Sequence, residues 1–211
     1  MMRPVLYLHG FASSPASAKI DLLRPLLAPH DVVLTTPDLN VPSFARLDWN
    51  ALVDRAVEEG RRLRPQVIVG SSLGGLAALD VVRRGGFDVP LVLIAPALGV
   101  TDQWLARIPA GDPILVPNYA VNATLPIHRA FFEQMSRVDA DAAPPRQRVV
   151  AIIGTNDESV PFARVTRTWR AWADSGALTA GSRFIEIVGG DHGLTAYVDV
   201  IAREIVAAAG G

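Results

Sequence analysis

Short apolar segments alternate along the chain with longer segments whose apolar residues recur at helical spacing. The short segments are rich in Val, Ile and Leu and lack a polar face, which is typical of strands buried on both faces of a parallel sheet. They predict strands at residues 5–9, 32–35, 66–69, 91–94, 148–153 and 183–188. The longer segments predict helices at residues 17–27, 43–63, 73–84, 161–174 and 195–208. Repeated strand–helix units with right-handed crossovers predict an α/β fold with a doubly wound, mostly parallel sheet of about six strands.

One long segment, residues 98–147, interrupts this alternation and is called the insertion below. Long insertions in compact domains are usually functional, and this one leaves from the carboxyl edge of the sheet, where such folds bind ligands. We expect a small cap over a site, within a single domain of residues 1–211; the alternative is a helix pair that only covers the sheet edge. The aromatic residues of the insertion that we expect to contact substrate are Trp104, Tyr119, Phe131 and Phe132.

Composition narrows the function classes. The chain is 50% hydrophobic and 19% charged, as globular domains are, and its net charge of -1 gives no case for binding nucleic acid. The absence of cysteine excludes disulfides, thiolate metal sites and a cysteine nucleophile, and no His/Glu cluster has metal-ligand spacing. We therefore expect no metal and no cofactor. The first apolar run is too short for a signal peptide and no run could span a membrane, so we expect a cytoplasmic protein.

The strongest chemical signal is the pentapeptide Gly70-Ser71-Ser72-Leu73-Gly74. It follows a β-branched run and precedes a helix start rich in small residues, which is the strand–turn–helix context of the Gly-x-Ser-x-Gly motif. Small residues on both sides of the serine allow the strand and the helix to pass close together. The motif predicts Ser72 as a nucleophile at the end of the sheet.

A serine hydroxyl needs a base, and in folds with this motif the base follows the serine in sequence. Two histidines do so, His128 and His192. His192 lies in a glycine-rich loop directly after the last predicted strand, at the same sheet edge as Ser72. His128 lies in the insertion, where proton transfer is poorly supported. We predict His192 as the base, with His128 as the competitor.

The carboxylate that orients the base is expected at the end of a strand between serine and histidine. Asp157 follows the fifth predicted strand, and the adjacent Glu158 is its main competitor. Asp191 is next to the base in sequence and is interpreted as a loop or capping residue. The remaining aspartates, on helices, turns or the insertion, are expected to be solvated; they are Asp80, Asp88, Asp102, Asp112, Asp139, Asp141 and Asp174.

An oxyanion hole in such a site takes one backbone N–H from the residue after the nucleophile, which is Leu73. The second is expected from the loop after the first strand, where Gly10 permits a close turn and Phe11 offers its N–H. His9 precedes the serine in sequence, and we interpret it as a residue that positions this loop.

Three segments together resemble the YqiA-like esterases, a family of small bacterial α/β-hydrolases. They are residues 6–19, which read LYLHGFASSPASAK, residues 68–75 around the serine, and residues 189–192. The resemblance implies a reduced α/β-hydrolase fold and hydrolysis of esters or thioesters. In that family asparagine often precedes the catalytic histidine and the acid loop is a compact Gly-Asp-Glu, whereas this chain has Asp191 and residues 155–158 at these places.

These observations predict a serine carboxylesterase or thioesterase that acts on a small-molecule ester of a short to medium acyl chain. An acyltransferase or peptidase would use the same three residues, because the pocket sets the acceptor. A non-catalytic protein that binds a small ligand is the third hypothesis, against which the complete set Ser72, Asp157 and His192 argues.

Overall fold

A six-stranded parallel sheet forms the centre of the computed structural model, which describes residues 2–138 and 144–210. In chain order the strands are β1 (Arg3–Leu8), β2 (Val32–Thr35), β3 (Val67–Ser71), β4 (Leu91–Ile94), β5 (Ile114–Asn118), β6 (Ala123–Ile127), β7 (Val149–Gly154) and β8 (Arg183–Ile187). The large sheet has the order β2-β1-β3-β4-β7-β8, and β5 and β6 form a separate antiparallel hairpin. The predicted doubly wound α/β fold is confirmed.

Seven α-helices lie in the described residues. They are α1 (Ala18–Leu27), α2 (Trp49–Leu63), α3 (Leu73–Gly85), α4 (Thr101–Arg107), α5 (Ala130–Met135), α6 (Phe162–Asp174) and α7 (Val198–Ala208). Helices α1 and α7 pack on one face of the sheet, and α2 and α3 pack against each other on the opposite face.

The sheet is buried on both faces, as its unpatterned apolar strands predict. In β1, Leu6 and Leu8 belong to the apolar cluster beneath α2 and α3, whereas Val5 and Tyr7 belong to the cluster beneath α1 and α7. All four side chains are 1% exposed or less. Because successive strand residues point to opposite faces, one apolar run supplies both cores.

Two predicted helices begin three or more residues later than expected. The helix predicted at 43–63 begins at Trp49, because the Asp48 carboxylate accepts the Ala51 N–H at 2.8 Å and caps the helix there. The helix predicted at 195–208 begins as a 3-10 turn over Thr195–Tyr197, and the α-helix starts at Val198. The bounds of the six strands in the large sheet differ from the predicted ones by two residues or fewer, whereas β5 and β6 were not predicted.

The insertion holds α4, the β5–β6 hairpin and α5, with residues 139–143 outside the described part of the chain. The hairpin meets the loop after β1, since Tyr119 N–H donates to the Ala12 carbonyl at 2.8 Å. The end of the insertion's second strand meets the segment before α2, where His128 N–H donates to the Ala45 carbonyl at 2.9 Å. The insertion is therefore more than a helix pair at the sheet edge.

Candidate active site

Ser72 stands in the sharp turn between β3 and α3, with φ 54° and ψ -117°. Glycine is required on both sides of it. A Cβ on Gly70 would lie 2.3 Å from the Gly74 carbonyl oxygen, and a Cβ on Gly74 would lie 2.1 Å from the Leu8 carbonyl oxygen. The close approach of β1, β3 and α3 thus explains the spacing of the motif. The turn holds Ser72 in a strained backbone conformation that residues other than glycine rarely adopt.

The structure brings Ser72, His192 and Asp157 together. His192 Nε2 lies 3.0 Å from Ser72 Oγ, and His192 Nδ1 lies 2.7 Å from Asp157 Oδ2. The other carboxylate oxygen of Asp157 accepts the N–H groups of Ser159, at 2.9 Å, and Val160, at 2.7 Å. These contacts fix a carboxylate whose side chain is 0% exposed. An acceptor at Nδ1 leaves Nε2 free to take the proton of the serine hydroxyl.

Among the described residues, none of the competing side chains hydrogen-bonds to Ser72 or His192. The Asp191 carboxylate accepts the Leu194 N–H at 2.8 Å, as expected of a loop residue. His128 Nδ1 lies 3.0 Å from the carboxylate of Asp112, within the insertion. Glu158 is exposed and lines the cavity beside Ser72. The geometry therefore favours His192 and Asp157 over these alternatives.

Asp80 is a correction to the expectation that the other aspartates are solvated. It is 4% exposed, accepts the Trp49 indole N–H at 2.8 Å, and forms ion pairs with Arg83 and Arg84. The sequence of α3 did not predict the burial of Asp80, because Trp49 comes from the neighbouring helix α2, and Arg83 and Arg84 come from the next turn of α3. Of the other predicted positions, 139 and 141 lie outside the described residues.

His9 positions the loop after β1. Its Nε2 accepts the Leu39 N–H at 3.0 Å, so the ring proton is on Nδ1, which donates to the Gly10 carbonyl at 2.9 Å. Burial lowers the pKa of His9, and its imidazole is therefore neutral. Both ring nitrogens are engaged in holding the loop, which agrees with the interpretation made from sequence.

The loop that His9 holds approaches the serine closely, since a Cβ on Gly10 would lie 3.3 Å from Ser72 Cβ. Phe11 follows directly, and Leu73 is the first residue of α3, whose N–H has no acceptor within the helix. Both backbone groups thus border the serine turn. The Phe11 ring is fixed by three other rings, those of Phe44, Phe131 and Phe132, at centroid distances of 5.8, 6.0 and 5.6 Å.

A cavity of about 800 Å³ opens over Ser72 and His192. Trp104, Tyr119 and Phe132 line it, as expected of the aromatic residues of the insertion. Phe131 does not: it is 0% exposed and stacks beneath Phe11. Helix α5 turns one aromatic ring toward the cavity and the next into the core, so the prediction for Phe131 is wrong.

The chain matches a family of proteins over most of its length. The sequence profile of the uncharacterised protein family UPF0227 aligns with residues 4–188, a range that includes Ser72 and Asp157 and ends shortly before His192. The chain belongs to this family. The resemblance inferred from the three motifs is thereby confirmed.

Solved structures show which fold this UPF0227 chain has. An esterase domain from Rhodothermus marinus is 17% identical, with a TM-score of 0.71 over 99% of this chain and 88% of that one. Est1E from Butyrivibrio proteoclasticus, with ferulic acid bound, is 13% identical, with a TM-score of 0.75 over 97% and 87%. A monoacylglycerol lipase from Paleococcus ferrophilus is 18% identical, with a TM-score of 0.71 over 97% and 92%. At identities this low, the TM-scores establish the α/β-hydrolase fold and nothing further.

Sequence reasoning missed Lys19, which lines the same cavity in this UPF0227 chain. Its Nζ donates to Ser71 Oγ at 3.0 Å, and burial lowers its pKa to about 8 although the carboxylates of Asp157 and Asp191 raise it. Tyr7 also hydrogen-bonds to Ser71, and burial raises the pKa of that phenol. The composition could have drawn attention to this residue, because Lys19 is the single lysine among the 20 Lys and Arg residues.

Within residues 2–138 and 144–210, no group of three or more His, Cys, Asp or Glu side chains is placed to hold a metal ion. None of the helices in that part of the chain combines the length and apolar character needed to cross a bilayer.

Proposed function

We propose that this protein is a serine hydrolase that cleaves carboxylic esters or thioesters of short to medium acyl chains through an acyl-enzyme. One observation carries the proposal: Ser72 Oγ, His192 and Asp157 form a continuous hydrogen-bonded series, with heavy-atom distances of 3.0 and 2.7 Å, at the floor of a cavity. The membership in UPF0227 and the α/β-hydrolase fold support it.

In the proposed mechanism, Ser72 Oγ attacks the acyl carbonyl while His192 Nε2 takes its proton. Asp157 holds the imidazole in the tautomer that accepts this proton and stabilises the imidazolium that forms. The N–H groups of Leu73 and Phe11 stabilise the oxyanion of the tetrahedral intermediate. His192 then protonates the leaving alcohol or thiol, and the acyl group remains on Ser72.

Water completes the cycle. His192 takes a proton from water, the resulting hydroxide attacks the acyl carbonyl, and the collapse of the second tetrahedral intermediate returns the proton to Ser72 and releases the carboxylic acid. Each step uses side chains and backbone groups of this chain alone, so the proposed reaction needs no cofactor.

The wall of the cavity supports the proposed substrate class. Residues of the insertion give one side of the cavity an apolar surface, which suits a hydrocarbon acyl chain; they include Trp104, Ile108, Pro109, Val116 and Phe132. Two proteins of the same fold agree with this substrate class. Est1E has ferulic acid bound, and the other protein is a monoacylglycerol lipase. We propose that the insertion acts as a cap that holds the acyl chain.

The test is a panel of p-nitrophenyl esters and acyl-CoA thioesters of increasing chain length, assayed with the wild type and with Ser72→Ala. Removal of the nucleophile is expected to lower kcat by about 10⁴-fold or more. Ser71→Ala, in the adjacent position of the same turn, is the matched control and should retain far more activity. A Ser72→Ala protein that keeps its activity within about tenfold of the wild type would exclude the serine mechanism.

Product analysis separates hydrolysis from acyl transfer. Both reactions share the acyl-enzyme, so the same assays are run with water alone and with added alcohols or amines as acceptors. The proposal predicts free carboxylic acid as the main product in both cases.

A further inference from the structure

The cavity over Ser72 has two chemically different sides. The insertion supplies the apolar side, whereas β1 with the loop after it, the start of α1 and the end of β3 supply a polar side. The polar side consists of Tyr7, Ser13, Ser17, Lys19 and Ser71. An acyl chain without polar groups would leave this second side unused.

Lys19 is the charged member of the polar side, and its hydrogen bonds are incomplete. An ammonium group has three N–H donors, and among the described residues its acceptor is Ser71 Oγ at 3.0 Å. The nearby carboxylates have other partners, since Asp157 accepts from His192, Ser159 and Val160. Two donors of this half-buried cation therefore remain available at the cavity wall.

Even partial burial of an ammonium group costs free energy unless the group is paired, so the two remaining donors of Lys19 favour an acceptor at the cavity wall. The other 19 cationic residues of this chain are arginines, as follows from 20 Lys and Arg with one lysine. A bound anion would supply the missing acceptors. We propose that Lys19 binds a carboxylate of the substrate, and that the esters cleaved at Ser72 are therefore acidic; this inference rests on the proposed function.

The surroundings favour a monoanionic carboxylate over a phosphate. Two free donors match the two oxygens of a carboxylate, whereas the negative charges of Asp157 and Asp191 act on Lys19 and would oppose a dianion. Lys19 contacts Ser71, the residue directly before Ser72, and consecutive Cα atoms are about 3.8 Å apart. Lys19 and Ser72 line the same cavity, so one ester can reach both, with its carboxylate on the acyl side or on the alcohol side.

Two pairs of esters distinguish these sides. For the acyl side, phenyl hemisuccinate is compared with the phenyl ester of succinamic acid; for the alcohol side, para-acetoxybenzoate is compared with para-acetoxybenzamide. In each pair a carboxylate is replaced by a neutral carboxamide of similar shape. We expect kcat/KM to favour the carboxylate by about 10- to 100-fold in one pair, as charge-assisted hydrogen bonds do.

Lys19→Met is the decisive variant, because methionine has a similar length without the charge. Lys19→Met should cleave the carboxylate and the carboxamide esters with about equal kcat/KM, and it should still cleave neutral esters. Arg107→Gln is the matched comparison, since Arg107 is an exposed cation on the same cavity; this variant should keep the preference. Equal loss on acidic and neutral esters in Lys19→Met would mean that Lys19 is only structural and would overturn the inference.

A binding experiment separates this inference from the proposed function. Amides that mimic the esters, para-acetamidobenzoate and N-phenylsuccinamate, are titrated calorimetrically into Ser72→Ala, alongside their carboxamide counterparts. Tighter binding of one carboxylate, abolished in Ser72→Ala/Lys19→Met, supports the inference even if no ester is hydrolysed. Equal affinity for carboxylate and carboxamide would overturn it, even in a protein that hydrolyses neutral esters as proposed.

Discussion

Lys19 Nζ lies 3.0 Å from the hydroxyl oxygen of Ser71, so the single lysine of the chain is joined to the residue directly before the proposed nucleophile. The carboxylates of Asp157 and Asp191, in the loops that carry the proposed base and its proposed partner, also act electrostatically on this lysine. Lys19, at the start of α1, thus lies within electrostatic reach of the candidate triad of Ser72, His192 and Asp157.

The pKa of Lys19 is the first prediction. Carbon-13 labelling at lysine Cε gives one signal, because the chain has one lysine, and its chemical shift should titrate with a midpoint of about 8 rather than 10.5. Burial causes the shift, since it disfavours the charged form. A midpoint near the value of an exposed lysine would contradict the burial of the ammonium group.

The same shift predicts how stability depends on pH. The folded protein releases the proton of Lys19 near pH 8 and the unfolded chain near 10.5, so the unfolded chain holds more protons between these values. The free energy of unfolding of the wild type should therefore gain a contribution as the pH rises from about 8 to 10.5. Lys19→Met should lack this rise and, at pH 7, should be more stable by about 1–3 kcal/mol. Chemical denaturation at several pH values measures both; a less stable variant at pH 7 would indicate a structural lysine.

Asp157→Asn should lower kcat by about 10⁴-fold with little change in fold, because an amide N–H facing Nδ1 stabilises the wrong tautomer of His192. Glu158→Gln is the matched control, since it changes the adjacent carboxylate, which is exposed, in the same way. Its activity should stay close to that of the wild type. A larger loss in Glu158→Gln than in Asp157→Asn would reverse the assignment of the acid.

Gly74→Ala should destabilise the protein by about 3 kcal/mol or more, because its Cβ would meet the backbone carbonyl of Leu8, which cannot move aside without disturbing β1. Gly193→Ala is the control: a Cβ there has its nearest neighbour at 3.5 Å, an ordinary contact. Urea denaturation of both variants measures the difference. Similar stabilities would show that the serine turn is looser than the structure indicates.

The lowered pKa of His9 predicts that the free energy of unfolding falls in mild acid. Burial lowers its pKa below 6.5, so the unfolded chain binds a proton that the folded protein does not as the pH falls through this value. The stability contribution is present above about pH 6.5 and is lost progressively below it. His9→Gln removes this titration, so its free energy of unfolding should fall less between pH 7 and pH 5 than that of the wild type, as followed by denaturation at each pH.

The sequence by itself determined the fold and the order of the candidate triad. Apolar runs without alternation predict a sheet buried on both faces, because only such a sheet shields both sides of a strand such as β1. The glycines at 70 and 74 are local signals, since close backbone approach admits no other residue there, and the glycine-rich sequence around His192 marks a loop. Each of these features depends on a short segment of sequence, so it can be predicted without knowing the contacts between distant residues.

Only the tertiary structure decided the roles that depend on partners from distant segments. Phe131 and Phe132 are adjacent in sequence and both contact Phe11, yet Phe131 is fully buried whereas Phe132 also lines the cavity. Asp80 is buried because Trp49 meets it from another helix. Lys19 lies beside Ser71, 52 positions later in sequence, because α1 starts over the carboxyl end of β3. No local pattern encodes such contacts, since burial, charge pairing and access to the cavity are set by how the elements pack.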